Sequence, residues 1–247
     1  MNIRSRRIRN VQFELPGLAQ LGSTRRWTRC VYCGDRASSR DHVPPKLLLK
    51  SPYPRNYRTV PACADCNGGY SKDEEYFRVV LGLSGFSEHL QNENDEGGYI
   101  DRILRRSSQL DDRINSSMSV DADGRIFMIP EQARMKRVCR KLTCGLFALR
   151  YGAGRFLEDF VVENVQHSQA DLKQSYIAAM HFQPGIRAKR WTVVQPDAFE
   201  FLFAKGWLVN DPFFWCFISV HGTIFAAVRC PAPPQGSSRV NLDQPPW

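Results

Sequence analysis

The sequence predicts an α+β protein: a metal-stapled N-terminal module, then an α+β domain that closes in a C-terminal β-hairpin. Three observations carry this. Two Cys-x-x-Cys pairs, Cys30/Cys33 and Cys63/Cys66, bracket a loop longer than that of a simple zinc ribbon. Residues 131–151 repeat apolar side chains at helical spacing. Residues 213–230 form two strand-like runs about His221-Gly222. With 247 residues, 43% of them hydrophobic, the chain can bury a real core in one large domain or two small ones.

The staples come first because they fix the local chain. A Cys-x-x-Cys knuckle presents two thiolates on one side, and two knuckles supply the tetrahedral shell of a closed structural Zn²⁺ site. Cys30, Cys33, Cys63 and Cys66 are the expected ligands. Redox or disulfide use of the same residues is the alternative, and the chain's reduced, intracellular character weighs against it.

Inside and beside the staples lie Asp41-His42 and Asn67. An Asp carboxylate and an Asn carbonyl are hard oxygen ligands for Mg²⁺, which needs only one or two protein ligands plus substrate phosphate. A neutral His beside them can take a proton from an attacking water. Neighbours on a strand face opposite ways, so Asp41 and His42 can share a site only if the strand ends or bends there. Val43-Pro44-Pro45 is consistent with that end.

These residues together resemble the HNH endonucleases of the ββα-metal type, in the zinc-stapled branch that includes phage endonuclease VII. The likeness rests on Cys30-x-x-Cys33, Asp41-His42, Asn56, Cys63-x-x-Cys66 and Asn67, and it extends into Ser71–Phe77. It implies a hairpin ending in Asp41-His42, a loop with Asn56, and a short helix carrying Asn67. By the same resemblance His42 is the general base, Asp41 and Asn67 hold one catalytic Mg²⁺ or Mn²⁺, and Asn56 braces the loop. Asn67 stands where the motif's last His gives the family its name, a known variation. The implied activity is endonucleolytic hydrolysis of phosphodiesters, DNA first. The family's distribution suggests phage defence, restriction or a mobile element. A non-catalytic zinc-stapled module that docks nucleic acid or a protein is the alternative.

Charge points to the same partner. The net charge is +9, and residues 1–50 hold eleven Arg or Lys against three Asp or Glu. Nearly all the excess therefore lies on the segment with the first knuckle and the Asp-His step, as a polyanion partner requires. Arg4, Arg6, Arg7 and Arg9, in a basic arm over residues 1–29, are expected to touch phosphates. A solvated arm that aids solubility is the simpler alternative. Trp27 either packs beside the knuckle or stacks on a base. No apolar run is long enough to span a membrane and no secretory signal follows Met1, so the cytoplasm is the expected compartment, and a regulatory protein partner is compatible with the chain.

The nuclease-like module is expected over residues 30–86, an α+β domain of unassigned role over 99–230, and a loose tail over 231–247. Ser71-Lys72-Asp73-Glu74 reads as a capping box, which assigns the carboxylates to helix capping rather than chemistry. Tyr76, Phe77, Val80 and Leu81 form the apolar face behind it. Residues 87–98 are a polar connection, and 99–116 look helical. Ser119–Pro130 reads as a hairpin about Asp123-Gly124. On the 131–151 helix Met135, Val138, Leu142, Leu146 and Leu149 mark one face, while Arg134, Arg137, Arg140 and Lys141 decorate the others as a solvated surface or a track for DNA. Gly152 and Gly154 stop it. Cys139 and Cys144 are expected to be buried. Trp191–Gln195 reads as a strand. In the final hairpin a two-residue loop pairs Val220 with Thr223 and Cys230 with Phe213, so no Cys216–Cys230 disulfide is demanded. His89, His167, His181 and His221 are given no role. No repeat and no phosphate-binding loop is visible.

Overall fold

A long helix stands between a small stapled hairpin and a five-stranded sheet. The computed structural model describes residues 24–51, 53–83, 98–152, 155–167, 191–208 and 211–232. Arg4, Arg6, Arg7 and Arg9, most of the 87–98 connection, His89, Gly154, His181 and nearly all of the tail lie outside those residues.

Strands β1 (Ser39–His42) and β2 (Thr59–Ala62) pair antiparallel, with Asp41 opposite Val60 and His42 opposite Thr59. The segment between them includes a 3₁₀ turn, Lys46–Leu48. Helix α1 (Ala64–Gly68) follows the second knuckle, and α2 (Ser71–Leu83) follows α1. The sequence predicts a capping box at Ser71, but Ser71 is already helical. The Tyr70 carbonyl accepts from the Asp73 and Glu74 amides, and Ser71 Oγ donates to the Gly68 carbonyl at 2.8 Å.

Residues 99–116 form two helices, α3 (Tyr99–Arg106) and α4 (Ser108–Ser116). The break is at Ser107, whose extended backbone and Oγ, accepting from the Leu110 amide, make it the cap of α4. A hairpin of β3 (Met118–Val120) and β4 (Ile126–Met128) follows, with Gly124 at φ +78° in its turn. Helix α5 (Gln132–Tyr151) ends at Gly152, whose φ of +83° suits a residue without Cβ.

The sheet comprises β5 (Val161–His167), β6 (Thr192–Gln195), β7 (Phe199–Leu208), β8 (Asp211–Val220) and β9 (Ile224–Cys230), in the order β5-β9-β8-β7-β6, antiparallel throughout. The β8–β9 register differs from expectation by one residue. Thr223 donates to the Val220 carbonyl, but the ladder resumes at Ile224 opposite Val220, so Phe214 faces Cys230 and Cys216 faces Val228. The two cysteines are still not opposite, and both are free thiols.

Helix α5 is buried almost all round from Lys141 to Leu149, the signature of a core helix. One side meets the sheet, where Phe147 packs edge-on against Phe160, Phe203 and Phe214. Its other contacts include α2 and β2. One hydrophobic cluster therefore runs from Trp27 and Tyr32 through Phe77 and Leu142 to Val228. Among the described residues, no helix is long and apolar enough to cross a membrane.

Candidate functional site

The two knuckles bring Cys30, Cys33, Cys63 and Cys66 together, with all four Sγ atoms within 4.8 Å of one another. In the first knuckle the Cys30 amide donates to Asp35 at 2.7 Å and the Gly34 amide donates back to Cys30 at 2.9 Å. Gly34 takes φ +85°, and a Cβ there would stand 2.9 Å from the Phe156 ring. In the second, Cys63 Sγ accepts from the Cys66 amide at 3.4 Å and so caps α1. Cys33 and Cys63 Sγ lie 3.7 Å apart, close to the edge of about 3.8 Å that zinc–sulfur bonds of about 2.3 Å set in a tetrahedron. Four cysteines so placed can hold a structural metal such as zinc. Trp27 is buried in the core rather than presented to a ligand.

Strand β1 stops at His42, where Val43-Pro44-Pro45 turns the chain away. Asp41 and His42 consequently line one cleft of about 350 Å³, together with Lys46, Tyr53, Glu74 and Arg78. Asp41 is 7% exposed. Its Oδ2 accepts from Tyr32 Oη and pairs with Lys141 Nζ, both at 2.8 Å. These two contacts fix Oδ2 on the core side of the cleft. Burial first, and the Asp41 charge second, push the Tyr32 hydroxyl well above the usual phenol range, so it remains a donor.

Lys141 also pairs with Glu74 Oε1 at 2.7 Å and lies 5.6 and 5.2 Å from the Tyr32 and Tyr70 ring centres. Burial lowers its pKa, and Asp41 and Glu74 more than reverse this, so it is raised overall. For Glu74, burial raises the pKa more than Lys141 lowers it. His42 is half-buried and stacks on Tyr57, with ring centres 5.0 Å apart and planes 21° from parallel. Tyr57 Oη donates to the Pro44 carbonyl and anchors that stack. Burial, then the Lys46 charge, hold the imidazole below its ordinary pKa against the opposite pull of Asp41, which keeps it neutral at pH 7.

The other predicted residues are distributed around this centre. Asn67 sits on α1, half-buried, and its Nδ2 donates to Ser39 Oγ at 3.1 Å. Ser39 and Asp41 share a face of β1, so Asn67 is held one pleat repeat along from Asp41 and is not among the residues lining the cleft. Asn56 is half-buried in the turn just before β2. The basic face of α5 is corrected. Lys141 is buried, and Arg134 and Arg137 both pair with Asp73 at the acidic start of α2, although Arg137 also stays exposed to solvent.

Glu74, Lys141 and Tyr32 are the site residues that the sequence reading misses. The signal is periodicity: Glu74 falls three before Phe77 and seven before Leu81, and Lys141 falls between Val138 and Leu142, so both lie on core-facing stripes. Outside the cleft, Arg25, Arg26, Arg29 and Arg36 are exposed around the first knuckle. No family model matches this chain, and no curated protein and no solved structure is found to be similar to it.

Proposed function

We propose that this chain is a metal-dependent endonuclease of the HNH type, with a structural zinc on its four cysteines. The observation that carries the reading is the shared cleft of Asp41 and His42 at the end of a hairpin that the cysteine cluster staples. His42, neutral and braced by Tyr57, takes a proton from water. The water oxygen bonds to phosphorus as the bond to the 3′ oxygen breaks, and a solvent proton completes the leaving oxygen, giving 5′-phosphate and 3′-hydroxyl ends. A Mg²⁺ or Mn²⁺ on Asp41, with Asn67 one pleat repeat along as its expected second ligand, would supply charge stabilisation at the phosphate and leaving oxygen. Lys46 and Arg78 line the cleft and offer positive charge to the scissile phosphate. The exposed arginines beside the first knuckle suit the flanking backbone, and DNA is the first expected substrate.

The test is purified, zinc-loaded protein on supercoiled plasmid, linear duplex, single strand and RNA, with Mg²⁺ or Mn²⁺ and with chelator. Nicking that requires the divalent metal supports the proposal. Binding of nucleic acid without cleavage of any substrate, at any metal concentration, would make the chain a zinc-stapled docking module instead.

A further inference from the structure

Lys141 occupies a place where a core helix ordinarily carries an apolar side chain, in one stripe with Val138, Leu142 and Gly145. Its side chain is 3% exposed. A lone ammonium there would be costly, and methionine would fill the space without that cost. The ammonium answers two specific charges, Asp41 Oδ2 at 2.8 Å and Glu74 Oε1 at 2.7 Å, and both carboxylates line the cleft that holds His42.

We propose that Lys141 is the positioning residue and internal counter-charge of this site: it pins Asp41 and Glu74 on one ammonium and sets how tightly the cleft holds a divalent cation. The inference rests on the reading of Asp41 as a ligand of that cation. With Lys141 in place, Asp41, Glu74 and the ammonium sum to one negative charge, and Lys46 and Arg78 on the same cleft weaken its pull on a cation further. Such a site holds Mg²⁺ loosely and leaves coordination positions for a substrate phosphate. Without the ammonium, two converging carboxylates repel each other when metal is absent and attract a divalent cation strongly when it is present.

The experiment is calorimetric titration of Mn²⁺ into zinc-loaded full-length chains, alongside thermal melts with and without Mn²⁺. Lys141→Met should bind Mn²⁺ at least about tenfold more tightly than the parent and gain more thermal stability from it. The double variant Lys141→Met/Glu74→Gln removes one charge of each sign, so its Mn²⁺ affinity should return to within about threefold of the parent. Lys141→Arg, which keeps the charge, should stay near the parent. A lysine that merely holds the fold gives the opposite pattern: Mn²⁺ affinity unchanged or weakened in Lys141→Met and no reversion in the double variant. That result overturns the proposal. If Lys141→Met is unfolded without metal, recovery of the folded form by Mn²⁺ supports it, and failure to fold at any Mn²⁺ concentration overturns it. The readout is separable from cleavage. Tightened Mn²⁺ binding in a chain that cuts nothing would remove the nuclease reading alone, and cleavage with unchanged metal affinity would remove this inference alone.

Discussion

Tyr32→Phe deletes one oxygen from the candidate site and leaves everything else in place. The ring is 1% exposed and packs in the core, so phenylalanine fills the same space. What is lost is the 2.8 Å hydrogen bond from Oη to Asp41 Oδ2. A hydrogen bond to a charged acceptor contributes about 1.5–3 kcal/mol. Asp41 Oδ2 keeps Lys141 at 2.8 Å, which places the expected loss at the lower end, about 1.5 kcal/mol. For a chain of this size that is a fall in Tm of roughly 3–6 °C. The assay is urea unfolding at pH 7 with zinc content matched to the parent. Cleavage should fall less than about tenfold, because Lys141 still fixes the carboxylate. Stability within about 0.3 kcal/mol of the parent would refute the claim that Tyr32 braces Asp41.

Other expectations concern the staple, the arm and the base. Elemental analysis should find about one zinc per chain after dialysis, and Cys63→Ser should lower folded yield, because four thiolates close the shell and metal binding is coupled to folding; a well-folded, zinc-free parent would contradict this. Deleting residues 2–9 removes four arginines, so nucleic-acid binding should weaken and its salt slope flatten by up to about one unit per lost contact. An unchanged slope would mean that the arm is only solvated. Burial and Lys46 depress the His42 pKa below its ordinary 6.5, so the acid limb of the cleavage profile should have its midpoint below that value. The sign for stability is the same. Between the depressed folded value and 6.5 the unfolded chain binds more protons, so the His42 contribution is complete above 6.5 and lost as pH falls through the folded value. A limb centred above pH 7 would remove His42 as the base.

The stapled hairpin and the long helix are legible in the sequence because local rules fix them. Cys-x-x-Cys spacing sets the knuckles, Pro44 and Pro45 end β1 at His42, and a 3.6-residue period marks α5. Two strands escape such reading. Strand β7 is apolar on both faces: Phe199, Phe201 and Phe203 join the main core, while Leu202 and Ala204 join a second cluster, so no alternation shows. In β5 a bulge between Val162 and Asn164 breaks the alternation. The β8–β9 register slips because Thr223 adds one residue to an otherwise tight turn.

At the site, Asp41 and His42 are visible as a motif, but Lys141 and Glu74 are not. They are 67 residues apart in sequence and meet only because α5 crosses α2. Gly145 lets α5 also approach the chain just after β1, since a Cβ there would lie 2.7 Å from Val43. An acidic run before a helix and a basic run along another each suggest solvent in isolation. Their burial against one another is a tertiary fact.

The central claim is that His42 performs proton transfer in a site whose metal-binding and zinc-binding residues it does not itself hold together. The most direct measurement is the single-turnover nicking rate of supercoiled plasmid by the parent and by His42→Ala, at saturating Mg²⁺ and equal zinc content. The rate should drop by roughly 10²–10⁴ while Mn²⁺ and DNA affinities stay near those of the parent. A His42→Ala chain that nicks at the parental rate, or that recovers that rate with excess metal, would contradict the account.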